Sequence, residues 1–176
     1  MSRDTTFSLT AIALVSLVLC LPIGEAVAQQ KQHISFKIPA ENSKYTRQAN
    51  IEVGDTPNHI VRIFEIHRAF PDNPPVINGL KLAEGWDRGT ADYVDGNGTN
   101  VLYSVFVLEN GDTFFTRGVV VVQNNADKLT ATAVQYITGG TGKLAGIQGI
   151  TRAVANFDPK AGYNEAEIAI DYLVGK

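Results

Sequence analysis

The sequence YITGGTGKLAGIQG, at residues 136–149, joins two runs of β-forming residues through a cluster of glycines. Gly139, Gly140 and Gly142 allow positive φ values or a bulge at a tight reversal, and the neighbouring threonines can bond to the backbone that the reversal exposes. The segment therefore predicts the corner of a β-hairpin. Its two flanking runs are the sixth and seventh of eight predicted strands.

The same glycines partly match phosphate-binding loops, because Gly140, Gly142 and Ala145 fit the pattern G-x-G-x-x-A. That pattern is typical of dinucleotide-binding loops. The P-loop of nucleoside triphosphatases instead needs Ser or Thr directly after its lysine, but here Leu144 follows Lys143. Both kinds also need the N-terminus of a helix behind the loop. Residues 146–157 are rich in Gly, Val, Ile and Thr, which favours a strand instead, so we exclude a nucleotide site.

Residues 137–143 (ITGGTGK), followed by GIQG at residues 146–149, resemble the signature of the allene oxide cyclase and dirigent barrels. The resemblance implies an all-β fold, a small eight-stranded antiparallel β-barrel of the calycin type with an apolar cavity. In strand order it covers about residues 60–173, and its motifs are specific around Glu65 and around the glycine corner.

Residues 1–28 are predicted to be a cleaved signal peptide. Arg3 precedes an apolar run at residues 11–21, and residues 26–28 (AVA) provide the small residues of a cleavage site. The run is shorter than the roughly 20 residues that a transmembrane helix needs. We expect export to the periplasm or the cell exterior, with no membrane insertion after cleavage.

The composition argues against several kinds of partner. The only cysteine, Cys20, falls in the predicted leader, and three histidines are too few to indicate a structural zinc site. The net charge of −3 argues against nucleic acid or an anionic membrane surface as a partner. Since the sequence also contains no cofactor motif, we expect neither a cofactor nor a metal.

Residues 29–57 are polar and interrupted by prolines, so we expect a mobile N-terminal arm with one short strand at residues 33–38. Residues 58–176 form the single predicted barrel domain. Runs of β-forming residues bounded by turn signals add seven strands within it, at residues 59–67, 80–95, 99–109, 113–122, 129–138, 147–157 and 164–173. Eight strands can close into a barrel that holds one small ligand and leaves no exposed edge.

Two connections can be predicted from their turn residues. Asn110-Gly111 predicts a hairpin with a two-residue type I′ turn. Residues 69–78 contain three prolines, so we expect an irregular loop that covers one mouth of the barrel. The last strand alternates apolar with acidic residues, which predicts one buried and one solvated face.

The run HIVRIFEIH, at residues 59–67, contains the candidate catalytic residues. By periodicity, Glu65 either points into the barrel, where a carboxylate must be paired or protonated, or lies outside and pairs with Arg62 or Arg68. In the allene oxide cyclases the matching strand carries tyrosine, glutamate, isoleucine and asparagine, with the glutamate and asparagine in the cavity. The resemblance therefore implies that Glu65 and His67 are catalytic and point inward.

The resemblance also supplies ligand-binding positions. Phe64 stands at the family's tyrosine position, and Asn73 and Pro74 match a small hydroxyl residue and a cavity-lining proline after the loop. His67 replaces the family's asparagine, so it can donate to an oxygen, take a proton from a substrate, or pair with Glu65.

Three residues of later strands complete the predicted ligand-binding set: Phe115, Arg117 and Tyr136. Arg117 is either an interior partner of Glu65 or a surface arginine. Residues 119–122 are valines on both faces of a strand, which predicts a homo-oligomer, a dimer or trimer like the related barrels, with a neighbouring subunit on the outer face. The alternative is that the N-terminal arm covers these valines.

These observations lead to three functional hypotheses. The first is that the barrel binds a small apolar or phenolic molecule, with Glu65 and His67 as its polar anchors. The second is a cofactor-free isomerase or cyclase, in which Glu65 stabilises positive charge and His67 holds an oxygen or moves a proton. The third is a dirigent-like role, in which the barrel steers the coupling of radicals that another enzyme makes.

Overall fold

The computed structural model describes residues 30–125 and 128–175. This part of the chain is almost entirely β-strand, and its helical elements are two single 3-10 turns, at Ala40–Asn42 and Gly142–Leu144. The ten strands are β1 (Gln32–Ile38), β2 (Ser43–Glu52), β3 (His59–Ala69), β4 (Val76–Ile77), β5 (Leu80–Val94), β6 (Asn97–Leu108), β7 (Thr113–Asn125), β8 (Lys128–Gly140), β9 (Gln148–Asp158) and β10 (Tyr163–Leu173).

The strands form one antiparallel sheet in the order β1-β10-β9-β8-β7-β6-β5-β3-β2, with β4 paired to β5 outside this path. The two end strands, β1 and β2, are consecutive in sequence and are joined through the turn at Ala40–Asn42. Asn164 of β10 donates a hydrogen bond to the hydroxyl of Tyr45 of β2, so the two ends of the sheet approach each other. The sheet therefore curves around a common interior.

All eight predicted runs are strands, and two further strands, β2 and β4, were not predicted. β2 is an end strand that is exposed along most of its length and has few apolar residues, so its sequence lacks the alternation that marks a buried face. β4 consists of two residues within the proline-rich loop. Within the described residues the sheet thus has ten strands rather than the expected eight. The alternation predicted for β10 is observed.

The glycine corner joins β8 to β9, which pair as antiparallel neighbours, so the predicted hairpin is confirmed. Gly142 has φ 52°, and a side-chain carbon at this position would collide with the carboxylate of Asp112. That carboxylate accepts hydrogen bonds from the backbone N–H of Lys143 at 2.9 Å and from the amide of Asn110 at 2.8 Å. The corner therefore also fastens the connection between β6 and β7.

The hairpin of β6 and β7 is present, but its turn is not the predicted type I′. Only Gly111 of the pair has a positive φ, 86°, and its N–H donates to the carbonyl of Leu108 at 2.9 Å. A type I′ turn needs positive φ at both central residues. Asp95 and Gly96, between β5 and β6, meet that condition, with φ values of 50° and 78°.

The interior contains two clusters of buried apolar residues, one toward each end. The first, which we call the plug, includes stacked rings of Phe106 and Phe114 with centroids 4.6 Å apart. Its other buried members are Ile38, Phe70, Ile77, Leu80, Leu82, Leu108, Ile137, Leu144, Ile147, Ala166, Ile168, Ile170 and Tyr172. The second cluster consists of Phe64, Ile66, Ala91, Tyr93, Val120, Val122, Ala133 and Phe157. It surrounds the candidate site.

Candidate functional site

A cavity of about 80 Å³ lies inside the sheet, beyond the plug. Every strand except β1 and β4 contributes inward-pointing side chains to it, and most of these are apolar. Phe64 of β3 lies against Gly89 of β5, where a side-chain carbon would meet the ring. The cavity is thus formed by the shared inner face of the sheet rather than by loops.

Small residues on β8, β9 and β10 create the space. Five alanines line the cavity there: Ala131, Ala133, Ala153, Ala155 and Ala166. Ala131 lies opposite Ala155 and Ala133 lies opposite Ala153 in the register of β8 and β9. Larger side chains at these positions would fill the cavity.

A buried ion pair marks the inner end of the cavity. Arg68 Nε donates to Asp87 Oδ2 at 2.7 Å, and Arg68 Nη1 donates to Ser43 Oγ at 2.8 Å. Ser104 Oγ donates to the second carboxylate oxygen of Asp87 at 2.6 Å. Arg68 and Asp87 are 5% and 7% exposed, so removal of either one would leave an uncompensated buried charge.

The hydrogen-bonded chain continues across the sheet. Gln135 Nε2 donates to Ser104 Oγ at 3.2 Å, and Thr151 Oγ1 donates to Gln135 Oε1 at 3.3 Å. Along the strands, these residues fall between plug residues and residues of the second cluster. We call Arg68, Asp87, Ser104, Gln135 and Thr151 the polar floor, because they line the cavity and lie between the plug and the second cluster along the strands.

Two tyrosine–asparagine pairs line the cavity at its outer end. Asn100 Nδ2 donates to the hydroxyl of Tyr93 at 2.9 Å, and Asn164 Nδ2 donates to the hydroxyl of Tyr45 at 3.2 Å. Burial raises the pKa of both tyrosine hydroxyls from the ordinary value of 10.0. Both tyrosines are therefore neutral at pH 7, and each keeps an O–H proton that it can donate.

Each asparagine of these pairs has a carbonyl oxygen without a hydrogen-bond partner in the described part of the chain. Both residues are buried, since Asn100 is 7% exposed and Asn164 is 4% exposed. An unsatisfied buried polar atom costs about 1–3 kcal/mol. The two oxygens are thus available to accept hydrogen bonds from a molecule in the cavity.

Arg62 lies where the cavity meets an open cleft, since it and Tyr93 line both. Its Nε donates to Asn50 Oδ1 at 2.7 Å. Within the described residues it forms no ion pair with a carboxylate, in contrast to Arg68. We call Arg62, Tyr45, Tyr93, Asn100 and Asn164 the mouth group.

The cleft outside the mouth is lined by the β2–β3, β5–β6 and β9–β10 connections. His59 lies between two carboxylates there: its Nδ1 is 2.5 Å from Asp55 Oδ1, and its Nε2 is 2.8 Å from Asp92 Oδ1. Hydrogen bonds to Asp55 and then Asp92 raise the pKa of His59, and the same contact lowers the pKa of Asp55. Through its two ring nitrogens, His59 therefore ties the β2–β3 loop to β5.

Glu65 lies on the outer face of β3, opposite to the inward orientation that the resemblance implies. Thr46 Oγ1 and Arg88 Nε each donate to its carboxylate at 2.7 Å, and these bonds lower the pKa of Glu65. Phe64 and Ile66 occupy the inner face of β3, and Arg88 is the cross-strand neighbour of Glu65. The outward alternative is therefore the observed one, with Arg88 as the partner in place of Arg62 or Arg68.

His67 shares this outward orientation, so it neither faces the cavity nor pairs with Glu65. Its Nε2 lies 2.8 Å from Glu84 Oε2, and its ring centroid lies 4.4 Å from that of Trp86. Because side chains alternate along a strand, residues 65 and 67 leave the interior together once Phe64 and Ile66 fill it. The two predicted catalytic residues thus form part of a surface network.

Among the predicted ligand-binding residues, the structure places Phe64 in the cavity wall. Asn73 and Pro74 lie in the loop after β3, which leads into plug residues, and they do not line the cavity. Asn73 is exposed.

The other three predicted residues, Phe115, Arg117 and Tyr136, lie on the outer face. Phe114 and Thr116 occupy the inner positions of β7, which turns their odd-numbered neighbours outward. Arg117 lies over the ring of Tyr103, 5.3 Å from its centroid, so the surface alternative for this arginine is observed.

Sequence reasoning missed the polar floor and the mouth group. One signal was present: Arg62 and Arg68 have the same parity as Phe64 and Ile66, so one face of β3 combines charge with large apolar side chains. The alternating alanines of residues 131–133 and 153–155 were a second signal. The partners of these arginines come from other strands, and no local pattern identifies them.

Comparison with solved structures finds this fold in dirigent proteins. The pterocarpan synthase dirigent protein PsPTS1 matches with a TM-score of 0.51 and 14% identity, over 84% of this chain and 97% of that chain. The chain has a dirigent-like barrel fold. The pterocarpan synthase dirigent protein GePTS1 gives a TM-score of 0.47 and 14% identity, over 95% of this chain and 100% of that chain. No protein-family model matches the sequence, and no curated protein matches it.

The dirigent part of the sequence resemblance is therefore supported at the level of the fold, whereas the features specific to allene oxide cyclases are not. Among residues 30–125 and 128–175, no group of three or more His, Cys, Asp or Glu side chains could hold a metal ion. No helix within those ranges has the length and apolar character needed to cross a membrane. The predicted signal peptide lies outside the described residues.

Proposed function

We propose that the protein binds a small, largely apolar or phenolic molecule inside the barrel. The observation that carries this proposal is the alanine-lined cavity, which has polar groups at both ends and meets an open cleft at Arg62 and Tyr93. Binding sites for small molecules combine such apolar walls with a few placed polar groups.

The energetic cost of the cavity supports this function. At about 24 cal/mol per Å³, an empty space of this size destabilises the fold by about 2 kcal/mol. The unpartnered carbonyl oxygens of Asn100 and Asn164 add a penalty of about 1–3 kcal/mol each. A ligand that fills the space and bonds to these oxygens removes both costs, so occupancy should stabilise the protein.

The test is native mass spectrometry of the chain with a panel of small phenols and apolar compounds. We expect one-to-one binding of at least one compound, and at least an about tenfold weaker affinity after Ala133→Leu, because the new side chain fills the cavity. Ala49→Leu, an exposed position on β2, is the matched control and should leave binding unchanged. Equal binding by both folded variants would place the ligand elsewhere.

A second candidate function is dirigent-like steering of radical coupling, and the fold shared with the pterocarpan synthase dirigent protein PsPTS1 favours it. In this case the cavity would expose one face of a phenoxyl radical while a second radical forms the new bond. A separate one-electron oxidant would take one electron and one proton from each phenol. An excess of one product enantiomer only when the protein is present would support steering, whereas racemic product would favour a simple binding protein.

The cyclase alternative depended on Glu65 and His67, and their outward orientation removes that support.

We also infer that the outer face of the sheet mediates homo-oligomer formation. Val119 and Val134, opposite each other on β7 and β8, are each 54% exposed, and Tyr136 lies beside them. Val119→Asp should reduce the mass measured by light scattering to that of a monomer if this face is buried between subunits.

We also propose export, on the strength of the leader sequence. Expression of the full sequence in a bacterial host should yield a secreted or periplasmic product whose N-terminus is Gln29. A product that keeps residues 1–28 would contradict this.

A further inference from the structure

The charged residues that line the cavity include more positive than negative groups. They are Arg62, Arg68 and Asp87. Arg68 and Asp87 neutralise each other through a direct contact of 2.7 Å. The cleft that Arg62 also lines contains Glu52, Asp55, Asp95 and Asp158, but none of the described carboxylates forms an ion pair with Arg62. The lining of the cavity itself therefore carries one net positive charge at neutral pH.

A partly buried cation at the edge of an apolar cavity is stabilised most strongly by an anion placed beside it. Asn50 is neutral and binds Arg62 through Nε, so it contributes no compensating charge. A guanidinium presents a planar set of donors that matches the two oxygens of a carboxylate. The chemistry of this position therefore favours a carboxylate.

The remaining members of the mouth group add a second requirement. The carbonyl oxygens of Asn100 and Asn164 are buried and unpartnered, and each lies on a side chain whose amide nitrogen is already bonded to a tyrosine hydroxyl. If either amide were turned around, its NH₂ group would be the unpartnered one, so one polar atom is left in both orientations. A ligand hydroxyl satisfies either arrangement, because it can donate as well as accept.

The size of the cavity limits the rest of the ligand. Its volume is about 80 Å³, and the polar floor and the packed rings of Phe106 and Phe114 close the inner end. A long acyl chain that entered from the mouth would have to displace the plug, whereas a single ring would lie among Phe64, Phe157 and the alanines that line the cavity. The apolar part is therefore compact.

We infer that the cavity takes a compact organic anion, namely an aromatic carboxylate that also carries a hydroxyl group. The carboxylate pairs with Arg62, the ring lies in the alanine-lined space, and the hydroxyl bonds to Asn100 or Asn164. This inference rests on the proposed binding function and adds to it the charge and polar groups of the ligand.

The test is calorimetric titration at pH 7.5 with three probes: 4-hydroxyphenylacetate, phenylacetate, which lacks the hydroxyl, and 4-hydroxyphenylacetamide, which lacks the charge. We expect 4-hydroxyphenylacetate to bind at least about tenfold more tightly than the amide, as a charged hydrogen-bonded pair would give. Arg62→Gln should remove this preference, and Arg62→Lys should keep part of it. Arg47→Gln, on the outer surface, is the matched control and should keep all of it.

The hydroxyl is tested separately with Asn100→Leu and Asn164→Leu. At least one of these variants should lower the affinity for 4-hydroxyphenylacetate by about fivefold or more while leaving the affinity for phenylacetate unchanged. Thermal unfolding of each variant confirms that it is folded. If Arg62→Gln does not fold, the comparison of carboxylate and amide on the unmodified protein still decides the matter.

The possible failures can be told apart. Equal affinity for carboxylate and amide, or no effect of Arg62→Gln, would overturn the inferred anion while the cavity remained a binding site. If neutral phenols bind in the mass spectrometry panel and neither carboxylate binds, the inferred anion is likewise overturned while the cavity remains a binding site. If neither the panel nor the three probes bind, both this inference and the proposed function fail.

Discussion

The two ends of the barrel interior use the same strands for opposite purposes. In the plug, inward positions hold large buried side chains such as Phe106, Phe114 and Leu108. Toward the mouth, inward positions on β8 and β9 hold alanines such as Ala133 and Ala155, and a cavity remains. We therefore expect the plug to contribute more to the stability of the fold than the mouth end, where small side chains leave space.

The largest expected effect comes from disrupting the plug. Phe114 is fully buried and stacked on Phe106, so Phe114→Ala should lower the free energy of unfolding by about 3–5 kcal/mol. Urea denaturation measures this loss. Phe115→Ala, at the outward neighbour, is the matched control and should cost clearly less; equal losses would mean that the plug is not the main source of stability.

The boundary between the two ends can be disrupted next. Asp87→Asn leaves the buried Arg68 without its counter-charge and should lower the free energy of unfolding by about 3–5 kcal/mol. The double variant Arg68→Met/Asp87→Leu removes both charges and should recover much of that loss. If denaturation shows the double variant to be less stable than Asp87→Asn, the pair is more than a balanced charge.

The cleft at the mouth should make stability depend on pH. Because Asp55 and Asp92 raise the pKa of His59 above 6.5, its contribution is fully present below pH 6.5 and is lost as the pH rises through the folded pKa. The pKa of Asp55 is lowered, so its contribution is lost only as the pH falls below about 3.8.

Thermal unfolding of the wild type and of His59→Gln between pH 5 and pH 9 tests this prediction. The wild type should lose its advantage over the variant as the pH rises above about 6.5. Parallel pH profiles for the two proteins would show that the contacts of His59 do not stabilise the fold.

The smallest expected effect contrasts the two faces of β3. Glu65→Gln changes the outer network with Thr46 and Arg88, so the affinity for a cavity ligand should change by less than about twofold. Arg62→Gln, three residues earlier on the inner face, should have the larger effect on 4-hydroxyphenylacetate. A loss of binding in Glu65→Gln that matches Arg62→Gln would restore the role that the sequence resemblance implies for Glu65.

The strands and most connections were predictable because their signals are local. Stretches of β-forming residues between turn signals identified all eight runs, and the glycines at residues 139–142 identified the reversal between β8 and β9. β2 was not predictable, because an exposed end strand has little apolar content to alternate. The turn at Asn110-Gly111 was correctly located, but its type was not. Four residues, 109–112, connect β6 to β7, and one of them, Asp112, is held by the backbone N–H of Lys143 in the glycine corner, which is distant in sequence.

The site was harder to predict, because both faces of β3 contain apolar residues and a one-residue choice of parity exchanges inside and outside. That choice moved Glu65 and His67 to the surface and Arg62 into the mouth. The polar floor joins residues of β3, β5, β6, β8 and β9, so it exists only once the sheet has formed. Phe64 was predicted from its family position alone, because parity with an inward Glu65 would have placed Phe64 on the outer face.

The most direct test of the binding cavity is methyl NMR of protein labelled at alanine, titrated with 4-hydroxyphenylacetate and with its neutral amide. Binding should shift the methyl signals of Ala133, Ala153 and Ala155, which line the cavity, and leave those of the exposed Ala49 and Ala145 in place. Shifts confined to Ala49, Ala145 or other residues outside the cavity would contradict this prediction, because they would place the ligand on the outer surface.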